Sequence, residues 1–278
     1  MLSAVKMDLY RMRKTRSFWG VLIAIILFTV WSVAMTKMDT ELPDTAQTQE
    51  AEEQTEDELF IGIGVTVEDT QQNPLTAADE IYAHFSSKLL CIFICIFAVM
   101  FSVADFHTGF IKTIGGQVEK RGYLIISKGA ALAVFTAIAT VLETAAILAA
   151  SWICFPGIRL GAGGELAVYL AVQFLQGTAL AWIIMAFAVL TRSSVVSVSV
   201  AVCLCVNIQT IFYSGLNRMV QRLAGDDFDI TKYTVTGNIF YLPMDPAGSD
   251  LARCILTAAV FMAAALAAGI AAVHRRDI

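Results

Sequence analysis

Apolar residues in this chain come in long, nearly unbroken blocks instead of alternating with polar ones. That is the pattern of helices surrounded by hydrocarbon. The blocks cover residues 18–35, 89–104, 123–155, 166–190, 194–213 and 253–273. A helix of about 20 apolar residues crosses the hydrocarbon core of a bilayer. The pattern therefore predicts an all-α membrane protein with six transmembrane helices in a single transmembrane domain, 1–278. Ahead of the first block, Leu2, Val5, Leu9, Tyr10 and Met12 recur at helical spacing among Lys6, Arg11, Arg13, Lys14 and Arg16. This predicts an interfacial helix over 1–16. The basic start runs into an apolar block with no small-residue cleavage site after it, which reads as a retained helix rather than a signal peptide.

Between the blocks, residues 36–83 form the longest polar stretch and hold 13 acids against one base, Lys37. Within it, 60–67 (FIGIGVTV) has the composition of a short strand. Residues 105–122 form a second connection, and 214–251 a third. With the N-terminus in the cytoplasm, the inner segments hold 12 Lys/Arg and 4 acids, and the outer segments 7 Lys/Arg and 19 acids. Basic residues near span ends set topology. Both termini are thus expected in the cytoplasm, with 36–83 and 214–251 outside. Arg218, Arg222 and Lys232 run against that assignment.

Composition agrees: 57% of the residues are hydrophobic, 15% are charged and the net charge is −5. Soluble domains carry about 25% charged residues. Such a chain offers no basic patch for nucleic acid. The six cysteines lie in or beside apolar blocks without a CxxC, so they read as packing residues and no metal site is expected.

Polar groups inside a membrane usually face the bundle interior or a wet cavity. Glu143 is the one acid deep in a span, roughly 22 Å along the helix from Lys128. With Gln173, Gln176, Asn207 and Gln209 it falls in the outer half, a candidate substrate path. The alternative for each is interhelical hydrogen bonding. His84, His107 and His274 are placed at span ends or in loops, so no histidine proton relay is expected. The chain contains no GxxxxGK[ST], HExxH or GxSxG, so it is not expected to be an enzyme.

The most specific stretch is DFHTGFIKTIGGQVEKRGYLIISK, 105–128. It resembles the ABC-2 type permease family, in which an acid ending the second span precedes x-x-G-x-I-K/R, then a basic residue, an aromatic and a Lys opening the third span. The matching positions are Asp105, Gly109, Ile111, Lys112, Arg121, Tyr123 and Lys128; the family often has Glu where this chain has Asp105. The start MDLYRMRKTRSFWG and the end HRRDI resemble the family's termini.

The resemblance implies a cytoplasmic coupling helix between spans 2 and 3. Asp105, Phe106, Gly109, Phe110, Ile111, Lys112, Arg121 and Lys128 would engage a separate ATPase. It implies two ATPase subunits that bind ATP and Mg, no cofactor in this chain, and a second permease copy or a related chain. It further implies residence in a bacterial cytoplasmic membrane and export of a peptide, toxin or drug-like substrate, with resistance to antimicrobial peptides as one outcome. The acidic outer stretch suits long-range attraction of cationic peptides. Two other functions compete: a non-transporting sensor or scaffold subunit, and a gradient-driven carrier. The carrier would show broken helices near the midplane. All five prolines avoid the span centres, which weighs against such breaks.

Overall fold

A computed structural model describes residues 2–40, 76–107, 122–155, 157–161, 163–224 and 229–274. The predicted strand at 60–67 and residues 108–121 lie outside these. The described chain is helical. In order it forms α1 (Leu2–Lys14), α2 (Arg16–Thr40), α3 (Ala77–Ser86), α4 (Leu89–His107), α5 (Gly122–Cys154) and α6 (Gly164–Thr191). There follow α7 (Ser194–Cys205), α8 (Gln209–Ala224), a 3-10 turn (Ile230–Tyr233), α9 (Val235–Tyr241) and α10 (Gly248–His274).

Four of these helices are long and apolar enough to cross a membrane: Arg16–Met38, Gly122–Cys154, Gly164–Thr191 and Gly248–His274. α3 and α4 together make a fifth if counted as one span bent by 47°. The chain is thus a helical membrane protein with four or five candidate spans among the described residues, where the sequence predicted six. The difference lies in the block at 194–213. It does not form one helix but stops at Cys205, turns through 206–208 and restarts at Gln209. Asn207 has φ +63, a left-handed conformation that Asn tolerates better than most residues. The 12 residues of α7 reach only about 18 Å.

The connections also differ from expectation. The predicted loop 36–83 is helical at both ends, because α2 continues to Thr40 and α3 begins at Ala77. Thr76 caps α3. Its hydroxyl accepts from the Asp79 N–H at 3.4 Å, and the Asp79 carboxylate accepts from the Thr76 N–H at 3.0 Å. The Ala77 and Ala78 N–H groups donate to the carbonyls of Arg159 and Leu160 at 2.9 and 3.1 Å, tying α3 to the connection after α5. Gly161 makes this approach possible. It sits at φ +71, and a Cβ there would lie 2.4 Å from the Thr76 Cβ. The predicted loop 214–251 contains the rest of α8, the 3-10 turn, α9 and the start of α10.

The core is built of stacked rings and small residues. Phe97 of α4 and Phe135 of α5 stack with centroids 3.9 Å apart, and Phe18 of α2 meets both edge-on. α10 packs most extensively on α6, where Ala258 and Ala265 are buried. Trp19, Ile23, Leu27 and Trp31 form an exposed apolar stripe at i,i+4 spacing along α2, as a helix facing lipid requires.

Candidate functional site

Two polar clusters stand at opposite ends of the bundle. One lies where α4 ends, α5 begins and α1 crosses them. Asp105, one turn from the end of α4, accepts from Lys128 Nζ of α5 at 2.5 Å through Oδ2 and from Arg11 Nη2 of α1 at 2.5 Å through Oδ1. Asp105 and Lys128 are each only 4% exposed. A lone carboxylate is unfavourable at a helix C-terminus, and a cation is favourable there. Lys128 reconciles the two, because its ammonium also points at the carbonyls of Phe101 and Ser102, both at 3.4 Å, and lies 5.4 Å from the Phe101 ring centroid.

The network continues into α1. Arg11 Nη1 donates to Asp8 at 3.5 Å, and Ser127 Oγ donates to the other oxygen of Asp8. Burial pushes the Asp8 carboxyl above its ordinary range; Ser127, Lys128 and Arg11 pull it back, while Asp105 adds to the rise. α1 is thereby fastened to both helices that flank 108–121. Next to it, Trp182 of α6 donates to the Gly129 carbonyl at 2.9 Å, a close approach that a glycine permits.

Of the residues expected to engage an ATPase, the structure brings Asp105 and Lys128 together. Phe106 lies in the last turn of α4, whereas Gly109, Phe110, Ile111, Lys112 and Arg121 fall outside the described residues. Sequence reasoning missed Asp8, Arg11 and Ser127 as partners. The available signal was Asp8, the single acid among the five bases of 1–16.

The cluster at the other end holds four of the residues proposed for a substrate path. Gln173, Gln176, Asn207 and Glu143 each have their own neighbours. Gln173 of α6 donates to the Tyr169 hydroxyl at 3.0 Å and to the Ile239 carbonyl of α9 at 3.1 Å. Gln176 donates to the Cys254 carbonyl of α10 at 2.9 Å. Asn207 accepts from the buried Lys88 ammonium, which also lies 5.5 Å from the Phe240 ring centroid. Lys88 and Asn207 share an unusual feature. Both have left-handed backbones, φ +62 and +63, and each sits where its helix is broken. The two breaks are therefore joined side chain to side chain. Gln209 opens α8 just beyond the second break.

Glu143 faces α3. Its Oε1 lies 4.0 Å from His84 Nδ1, and His84 Nε2 lies 4.0 Å from Glu80 Oε2. His84 is fully buried, which corrects its placement at a loop edge and returns to consideration the histidine proton chemistry not expected from the sequence. It was misplaced because α3 had been read as part of a loop.

A groove of about 460 Å³ opens between α5 and α6 outside these clusters, lined by Val141, Thr144, Leu148, Leu170 and Phe174 among others. Among the described residues, no group of three or more His, Cys, Asp or Glu side chains is arranged to hold a metal ion. The sequence matches no model of a known protein family, and no curated protein matches it.

Proposed function

We propose that the chain is the membrane-spanning permease subunit of an ATP-driven exporter of the ABC-2 type, powered by ATPase subunits on separate polypeptides. The observation that carries this reading is the network of Asp105, Lys128 and Arg11. It binds together the ends of the two helices that 108–121 connects, and it adds the interfacial helix to the same joint. A push on 108–121 would be delivered to α1, α4 and α5 as one rigid unit, which a ligand-driven switch between two packings requires. In this reading there are six crossings: α3–α4 forms the second and α7–α8 the fifth, each broken once. Both termini are cytoplasmic, and the membrane is a bacterial plasma membrane. Two permease chains pair above two ATPases, which bind the ATP and Mg. The cargo class is a peptide, toxin or drug.

Replacing Gly109 with Trp, or Arg121 with Glu, tests the coupling. ATP hydrolysis by the reconstituted complex should persist while transport falls, with the protein still inserted. Full transport in both variants would refute the coupling role. A gradient-driven carrier is the second reading, favoured by the two broken helices joined through Lys88 and Asn207. Transport that survives ATP depletion but stops when the ion gradient is collapsed would select it.

A further inference from the structure

We propose that Glu80, His84 and Glu143 form a buried proton-binding site that latches α3 onto α5. The three side chains are 0%, 0% and 1% exposed. The imidazole stands between the two carboxyl groups, one facing each ring nitrogen, at 4.0 Å on both sides. Both carboxyl oxygens of Glu80, one of Glu143 and both nitrogens of His84 are buried without a hydrogen-bond partner. Such atoms are costly unless they pair with each other. Closing each gap to hydrogen-bond distance takes a displacement of about 1 Å. A neutral imidazole has one donor and one acceptor, so it can accept from one carboxylic acid and donate to the other.

Among the described residues, no cation stands against either carboxyl group. Asp79 stands beside Glu80 and adds negative charge, and Cys91 of α4 stands near Glu143. Lys88 is turned to Asn207. Tyr82 of α3 packs on Tyr169 of α6, with centroids 5.6 Å apart. α9, also against α3, carries no charged residue, and its Tyr241 is exposed. Neutrality must therefore come from protons. Two carboxyl groups and one imidazole are neutral together when they hold two dissociable protons beyond the neutral ring's own N–H. Equivalently, one carboxylate, one carboxylic acid and an imidazolium hold the same number. Removing one proton leaves a net negative charge in an apolar interior, which is strongly unfavourable.

The cost falls on α3 because α3 is the movable partner. It has ten residues, it joins α4 across a 47° bend, and the bend passes through the left-handed Lys88. α3 carries two of the three groups and α5 the third, so proton loss sets α3 against α5. Docking of α3 is then complete while the protons are held and weakens as pH rises and they leave.

The test uses the full chain in lipid nanodiscs without any ATPase, so its outcome is independent of the transport reading. Hydrogen–deuterium exchange of the 77–86 amides is followed from about pH 5 to about pH 8. The protection factor should fall by up to about tenfold per pH unit once the proton is lost. In the E80Q/E143Q double variant it should stay flat. A flat wild-type profile, or an unchanged slope in the double variant, overturns the proposal. Should the double variant not fold, the infrared carbonyl band of a protonated carboxyl group decides. It should fade with rising pH in the wild type and be altered in E80Q or E143Q; its absence from the wild type throughout overturns the proposal.

Discussion

Asp105→Ala removes the carboxylate that neutralises two cations. Lys128, 4% exposed, keeps the two carbonyl contacts at 3.4 Å, the Phe101 ring and the attraction of Asp8. It is also left facing the Arg11 guanidinium, a like charge formerly held off by the shared acid. Breaking a buried pair by deleting one partner costs about 3–5 kcal/mol. Arg11 is 28% exposed and can turn to water, so its share of the loss is small. The loss should thus come from Lys128 and shift the unfolding equilibrium by two to about three and a half orders of magnitude. Removing both charges, as Asp105→Leu with Lys128→Met, should recover most of it, since neither ion of the buried pair then remains to be desolvated and Asp8 keeps Arg11 and Ser127. Equilibrium unfolding in lipid bicelles, read by steric trapping, measures each variant. A loss below about 1 kcal/mol for Asp105→Ala, the scale of an exposed ion pair, would refute the reasoning. So would a double variant as unstable as the single one.

Three further outcomes are expected. Asn207→Ala should destabilise the chain more than Asn207→Gly, by about 1–2 kcal/mol for a left-handed alanine, in thermal unfolding; both variants also leave Lys88 without its acceptor. Gly161→Ala should force Thr76 away from Arg159 and speed exchange of the Ala77 and Ala78 amides, read by mass spectrometry. Burial raises the Asp229 carboxyl, but bonds from the Thr231 hydroxyl and N–H and from Asn217 outweigh it and hold the group below its usual 3.8. The stability this contributes is therefore present above that pH and lost as pH falls below it. Protease resistance of the 229–241 segment should drop on acidification in the wild type and be less pH-dependent in Asp229→Asn.

The helical membrane class was legible because block length is a direct consequence of bilayer thickness, and α2, α5, α6 and α10 fall on the expected blocks with ends shifted by up to five residues. The breaks were not legible. Proline was the signal sought, whereas Lys88 and Asn207 break their helices through left-handed backbones, and each is stabilised by a partner more than a hundred residues away. α3 was hidden for a related reason. Its sequence AADEIYAHFS follows an acidic stretch and carries three ionisable groups besides Tyr82, so hydropathy assigned it to the loop. Only burial against α5 shows that Glu80 and His84 belong to the interior. Asp105 and Lys128 stood out through a family resemblance, but Asp8, Arg11 and Ser127 become partners only when α1 is laid across α5.

The central claim is that an ATPase grips residues 108–121. A photo-crosslinking amino acid at Phe110 in intact cells tests it most directly. The account predicts covalent capture of a cytoplasmic protein bearing a GxxxxGK[ST] motif, lost when Arg121 is changed to Glu. Capture of no nucleotide-binding protein, or reaction of this position with a membrane-impermeant reagent added from outside, would contradict it.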